Sequence, residues 1–178
     1  MCGTCGAKIT KHRVLEHINS TDSMQANFTE IKTDFSKSYG TILLSKDGRT
    51  KICYEHPRKI TIIKNNGIIL HYDHELDELS QFKNKDNLLE SLLSNKLNAD
   101  SEITCQDQNC VVTITDGSER SIAITLISTE KDELEVKSIN IIDGDLQSIM
   151  EFKNLKRNIK LNPNMFYFER DHNKLFDY

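Results

Sequence analysis

The stretch TILLSKDGRTKICYEHPRKITIIKNNGIILHYD (41–73) decides the fold class. It holds four short runs in which apolar and polar residues alternate: TILLSK (41–46), TKICYEH (50–56), KITIIK (59–64) and IILHYD (68–73). Alternation with period two marks strands that bury one face. Asp47-Gly48 separates the first two runs and is expected to make a two-residue turn; Asn66-Gly67 joins the third to the fourth. Pro57 should end the second strand, because it has no N–H to give to a ladder. Ile42 and Leu44 share a face, as do Ile52 and Tyr54, Ile60 and Ile62, and Leu70 and Tyr72.

The pattern continues on both sides of this stretch. MQANFTEIKTDF (24–35) reads as a first strand with Met24, Ala26 and Phe28 on one face. Further runs are CVVTIT (110–115), SIAITLIS (121–128), VKSINII (136–142), SIMEFKNL (148–155) and MFYFE (165–169), with turns at Asp116-Gly117 and Asp143-Gly144. Successive short turns mean sequential antiparallel pairing, a meander closing toward a sandwich or barrel. Two segments have helical spacing instead. Residues 10–20 place Val14, Leu15 and Ile18 on one face behind a possible Thr10 N-cap. DNLLESLLSNKL (86–97) starts at Asp86, carries Leu88, Leu89, Leu92, Leu93 and Leu97 as one stripe, and can end at Asn98. A leucine stripe inserted into a sheet protein must lie against the sheet. The chain is therefore expected to be one mainly β domain over 1–178, with an N-terminal helix, a leucine-rich helix over the sheet and a disordered tail at 1–8. The strand faces are either a packed core or the lining of a hollow beneath the leucine helix.

Composition narrows the function classes. Hydrophobic residues make up 37% of the 178 residues and charged residues 28%, a low apolar share that a hollow sheet would partly explain. The net charge of −4 argues against a nucleic-acid partner. No apolar run is long enough to span a membrane as a helix. MCGTCGAKITKHR (1–13) shows no apolar stretch of a secretory signal, so the chain is expected to be cytoplasmic or to lack its signal as written.

Of five cysteines, Cys105 and Cys110 flank the turn QDQN and could sit opposite each other, bridged or free. A bridge would argue for an oxidising compartment. Cys53 reads as a small buried residue, and Cys2-x-x-Cys5 as an incidental tail without further ligands. Among six histidines the densest group is His71-Tyr72-Asp73-His74-Glu75, but His71 and His74 should face opposite ways. No phosphate loop, nucleophile elbow or metalloprotease motif occurs. Lys153, Lys156, Arg157 and Lys160 form the most basic run, read as a lysine-protected edge strand or as a docking site.

Taken in order, several segments resemble the LolA family, the periplasmic carriers of outer-membrane lipoproteins. They are SMQANFTEI (23–31), YGTILLSK (39–46), TKICYEHP (50–57) through Tyr54 and Pro57, ITIIKNNGIILHYDHELDELSQF (60–82), and NLKRNIKLNPNMFYF (154–168) through Asn158, Leu161, Phe166 and Phe168. NLLESLLSN (87–95) takes the place of the family's lid helix. The resemblance implies an unclosed, highly curved antiparallel β-barrel plugged by helices, acting as a monomer. It also implies that acylated lipoproteins are taken from an inner-membrane lipoprotein-releasing ABC transporter to an outer-membrane acceptor, with no catalysis, cofactor or metal. The acyl chains would lie against Ile42, Leu44, Ile52, Tyr54, Ile60, Ile62, Leu70 and Tyr72, under Leu89, Leu92 and Leu93. The family's latch arginine is replaced by Lys46, with Arg49 nearby, and no tryptophan is present. Burying a methylene contributes about 0.8 kcal/mol, so a chain of ~16 carbons costs about 12 kcal/mol to expose to water, which is why such cargo needs a carrier. Two other readings compete: a carrier of another lipid, such as a glycolipid or fatty acid, and a thiol or metal enzyme using Cys2, Cys5 or the His71–Glu75 group.

Overall fold

The computed structural model describes residues 9–83, 102–116, 120–129 and 133–168. The expected leucine helix at 86–97 and the tail at 1–8 lie outside the described residues. The chain opens with helix α1 (Lys11–Asn19), where the Thr10 hydroxyl accepts from Arg13 N–H at 3.3 Å as the N-cap. Val14 and Ile18 are buried, each contributing about 1.5–3 kcal/mol through the area removed from water. Among the described residues eleven strands follow: β1 (Ser23–Lys32), β2 (Lys37–Ser45), β3 (Thr50–His56), β4 (Ile60–Asn65), β5 (Ile68–Asp73), β6 (Glu78–Lys83), β7 (Glu102–Gln106), β8 (Asn109–Asp116), β9 (Arg120–Ser128), β10 (Leu134–Asp143) and β11 (Leu146–Arg157).

All pair antiparallel in one open sheet of order β6-β5-β4-β3-β2-β1-β11-β10-β9-β8-β7. The first six strands meander outward from β1 to one edge. The chain then passes to the opposite edge at β7 and meanders back until β11 pairs with β1, Phe28 opposite Phe152. The described turns within each meander are short, and the β1–β11 pairing is what joins the two halves of the sheet.

Four sequence expectations are corrected here. The turn after β2 has three residues, not two: Ser45 N–H bonds Arg49 O at 2.9 Å, Gly48 N–H bonds Ser45 O at 3.0 Å, and Gly48 takes φ 87°. That is the three-residue hairpin whose last loop residue needs positive φ. The described part of the MFYFE run, residues 165–168, makes no strand; Pro163–Phe166 form a 3-10 turn capped by Asn162, because Pro163 fits the first turn of a helix better than a ladder. The basic run sits at the end of β11, a central strand flanked by β1 and β10, not at an edge. β6 is an added strand that the sequence pattern does not signal, since ELSQFK lacks alternation and is exposed along its length.

The alternation produces two apolar layers. The larger lies on the concave face and unites Met24, Ala26, Phe28, Ile42, Leu44 and Ile52 from one half with Val112, Ile122, Ile124, Leu126, Ile139 and Met150 from the other; α1 plugs one end through Val14 and Ile18. The smaller lies on the convex face, where Leu43, Ile63 and Phe166 are covered by Ile159, Leu161, Met165 and Phe168 of the C-terminal segment.

Candidate functional site

The concave face is the candidate site, and register decides which side chains it holds. Residues directly opposite in an antiparallel pair share a face. Ile42 lies opposite Ile52 and Ile52 opposite Ile62; Tyr54 lies opposite Ile60. With Leu44, these six expected lining residues therefore fall on one face, continuous with Met24, Ala26 and Phe28. Leu70 and Tyr72 do not join them. Leu70 is opposite Ile63 and Tyr72 opposite Thr61, on the convex side. Leu70 packs with Phe166 in the smaller layer, and the Tyr72 ring meets Phe168 at 4.5 Å. The two-residue Asn66-Gly67 turn, both residues at positive φ, places odd-numbered β4 residues opposite even-numbered β5 residues and so reverses the phase. From β5 it is Ile69 and His71 that face inward, opposite Lys64 and Ile62. Leu89, Leu92 and Leu93 lie outside the described residues.

Toward the plugged end, α1 is fixed by a polar clamp that the sequence reading missed. Arg157 donates to Thr21 Oγ1 at 2.8 Å, to His17 O at 2.8 Å and to Ser20 Oγ at 3.1 Å, and meets His17 Nδ1 at 3.0 Å. A guanidinium at a helix C-terminus satisfies orphan carbonyls and the dipole together. A guanidinium only donates, so His17 Nδ1 accepts and its proton sits on Nε2, which is buried without a partner among the described residues. Burial, then the charges of Arg157 and Arg13, lower the His17 pKa to about 4. Asn158 completes the clamp by accepting from Asp22 N–H at 2.8 Å and donating to Ser20 O at 3.1 Å.

The two latch candidates both engage described residues. Lys46 Nζ lies 3.1 Å from Asn19 O and 3.2 Å from Asp22 Oδ1, tying β2 to the end of α1. Arg49 pairs with Asp47 at 2.6 Å and lies over the Phe166 ring at 4.7 Å, pinning the convex C-terminal segment.

At the other end of the concave face the polarity rises. Phe28 and Tyr54 flank Gly40, their rings edge-to-face at 5.2 Å. Gly40 has no substitute there, because a Cβ would lie 1.9 Å from Cys53 O. The Tyr54 hydroxyl is pushed up by burial and by its charge and hydrogen-bond interactions with Glu30, itself buried on the same face.

The two histidines of the His71–Glu75 group are not brought together. His71 faces inward, whereas His74 is held on the convex side, its Nε2 2.8 Å from Thr61 Oγ1 and its ring against Tyr72. Asp73 pairs with Arg58 and accepts from Glu75 and Leu76 N–H at 3.0 and 3.2 Å, closing the following turn. Among the described residues no group of three or more His, Cys, Asp or Glu could hold a metal. Cys2 and Cys5 lie outside them. Cys105 and Cys110 face each other across β7–β8 and are joined as a disulfide, with Cα atoms 4.1 Å apart.

Comparison with known proteins agrees with this geometry. Residues 19–169 match the family described as outer membrane lipoprotein carrier protein LolA. No curated protein matches the chain by sequence. Solved structures of the same fold include an uncharacterized conserved protein from Thermus thermophilus (TM-score 0.57, 9% identity, covering 90% of this chain and 94% of that one). Another is the LolA superfamily protein NE2245 from Nitrosomonas europaea (TM-score 0.50, 11% identity, 90% and 98%).

Proposed function

Because the chain belongs to the LolA family of outer membrane lipoprotein carriers, a match spanning residues 19–169, we propose that it shields the acyl chains of lipoproteins against its concave face and carries them through the periplasm. The single observation behind this reading is the continuous apolar layer on one side of a sheet that does not close on itself. A sheet that does not close leaves one apolar face that fatty-acid chains can share with the side chains of the fold. Tyr54, Ile60 and Ile62 supply the partly exposed portion of that face, and Ile42, Leu44 and Ile52 its floor. Leu89, Leu92 and Leu93 would contribute from outside the described residues.

The Cys105–Cys110 disulfide fits an oxidising compartment such as the periplasm. Loading from an inner-membrane releasing transporter and delivery to an outer-membrane acceptor complete the route. The carrier forms and breaks no bond; it lowers only the cost of exposing acyl chains to water.

The test is a pull-down of a triacylated lipoprotein and of the same protein without its acyl groups. The acylated form should bind and the stripped form should not. Equal recovery of both, or of neither, would sink the proposal. Native mass spectrometry of the purified carrier that showed a free glycolipid or fatty acid, and no lipoprotein binding, would move the reading to another lipid cargo.

A further inference from the structure

We propose that the β1–β2 turn and the end of the β10–β11 hairpin form an apolar tip that enters the head-group boundary of a zwitterionic phospholipid bilayer, with Phe35 and Leu146 as its anchors. This goes beyond the carrier reading and does not depend on it.

The β1–β2 turn has the same build as the β2–β3 turn. Lys32 N–H bonds Ser36 O at 3.1 Å and Phe35 N–H bonds Lys32 O at 2.9 Å, as Ser45 N–H does with Arg49 O and Gly48 N–H with Ser45 O. In both, the last loop residue takes positive φ: Gly48 at 87° and Phe35 at 62°. Glycine adopts that region without strain, whereas a bulky side chain does not. Phe35 stands there nonetheless, 84% exposed, so its ring strains the turn and adds little to the core. A strained residue that the packing does not require points to an external contact.

A second tip stands beside it. Thr33 Oγ1 donates to Gln147 O at 3.0 Å and accepts from Gln147 N–H at 3.1 Å, which fixes the β1–β2 turn against the β10–β11 hairpin. That hairpin carries Leu146, 74% exposed, next to its Gly144-Asp145 turn. Ile142 and Ile149 are exposed in the same hairpin. Leu146 shares the side of Ile139 and Met150, while Ile142 and Ile149 alternate with them and face the convex side. Four of the ten exposed large apolar side chains among the described residues therefore gather at one end of the sheet, on both of its faces.

That two-sidedness selects the partner. A protein surface covers one face and needs about 800 Å² from each side, more than two or three side chains provide. A bilayer surrounds whatever enters it and accepts isolated apolar protrusions, binding them in proportion to the apolar area buried. The charges select the lipid. Asp34, Asp143 and Asp145 stand at the two turns against Lys32 and Lys37. The Asp34 carboxylate turns back to accept from Ser36 N–H at 3.0 Å, and Asp143 pairs with Arg120 at 3.5 Å. An anionic surface would meet like charge here, and the carboxylates keep the tip at head-group depth. Two anchors at that depth give weak, reversible attachment.

Co-sedimentation of the full chain with vesicles of phosphatidylethanolamine and phosphatidylcholine tests this. The chain should pellet with the vesicles. Phe35→Gly and Leu146→Ser should each weaken partitioning at least fivefold. Phe35→Gly should also raise the thermal midpoint, since it places at this turn the residue that the β2–β3 turn uses; a ring held for folding would lower it instead. Leu79→Ser, equally exposed but on β6, should pellet like the parent. A parent that stays in the supernatant overturns the proposal, as does an equal loss in Leu79→Ser. Lipoprotein pull-down that fails in the Phe35→Gly, Leu146→Ser double variant, with no vesicle binding by the parent, would assign the tip to protein contact and overturn it too. None of these vesicle results bears on the carrier reading, which stands or falls on the pull-down by the parent.

Discussion

At the residue scale two side chains carry measurable consequences. His17 is held neutral by burial and by its arginine neighbours, with a pKa lowered to about 4 from an ordinary 6.5. Between those two values the unfolded chain binds a proton that the folded chain refuses, so stability rises with pH across the window and is lost as pH falls from 6.5 toward 4. The group is partly solvated, and screening reduces its share to about 1–2 kcal/mol. Urea midpoints at pH 7 and pH 4.5 should therefore converge for His17→Gln relative to the parent; an unchanged difference between the two pH values would show that His17 is not its source. Gly40→Ala is the second case. The added methyl meets the Cys53 carbonyl oxygen at 1.9 Å and the Tyr54 Cα at 3.0 Å, backbone atoms that cannot turn aside as a flexible side chain would. A loss of about 3 kcal/mol is expected, the upper range of overpacking, read as a lower thermal midpoint. Neither role was legible in the sequence. His17 gains its partner from a residue 140 positions away, and Gly40 is critical only because β2 and β3 approach closely at a register shift.

At the scale of elements the turns were the legible part, and they carried more information than the runs between them. The glycine turns after β2, β4 and β10 all form, and with them the antiparallel meander. The Asn66-Gly67 turn also contained the phase of β5, since a two-residue loop puts Asn65 opposite Ile68 and therefore Ile63 opposite Leu70. Reading that arithmetic would have placed Leu70 and Tyr72 on the convex side. The Cys105–Cys110 cross-link could be read as a possibility for the same reason: Gln106 and Asn109 close a two-residue loop, which leaves the cysteines opposite. What no local signal contained was the β1–β11 pairing, because it joins the two halves of the chain only once the sheet has curved. The disulfide sits in the β7 edge hairpin, and its loop is short. Cross-linking so few residues contributes about 2 kcal/mol in the chain-entropy picture. Replacing both Cys105 and Cys110 by alanine should lower stability by that amount in guanidinium melts, and reductant should do the same to the parent but not to the double variant. An identical response of the two proteins to reductant would place the sensitivity elsewhere.

At the scale of the whole molecule the two apolar layers have unequal status. The convex layer is covered by the C-terminal segment, with Phe166 clamped beneath Arg49. The concave layer is most deeply buried in the β8–β11 half, where Val112, Ile122, Ile124 and Ile139 are inaccessible although Ile114 and Ile141 are only partly buried, and it grows more open toward β4–β6. Ile62 is only partly buried, and Phe82 at the β6 edge faces the same way while 54% exposed. The described residues are therefore packed more tightly on the β8–β11 side of β1 than on the β4–β6 side, and the carrier proposal predicts that cargo lies on the more open side, where it need not unpack the fold. Ile62→Asp places a charge on that open portion. Acyl chains meeting it must leave it hydrated or neutralise it, which removes far more than one methylene of contact. Binding of an acylated lipoprotein should fall at least tenfold, with the thermal midpoint changing little because Ile62 is not in the sealed half. Leu79→Asp introduces the same charge on the convex side of β6, opposite Tyr72, and should leave binding unaltered. Equal losses for both substitutions would mean that charge anywhere on this end repels cargo, and the concave face would lose its claim to be the site of binding.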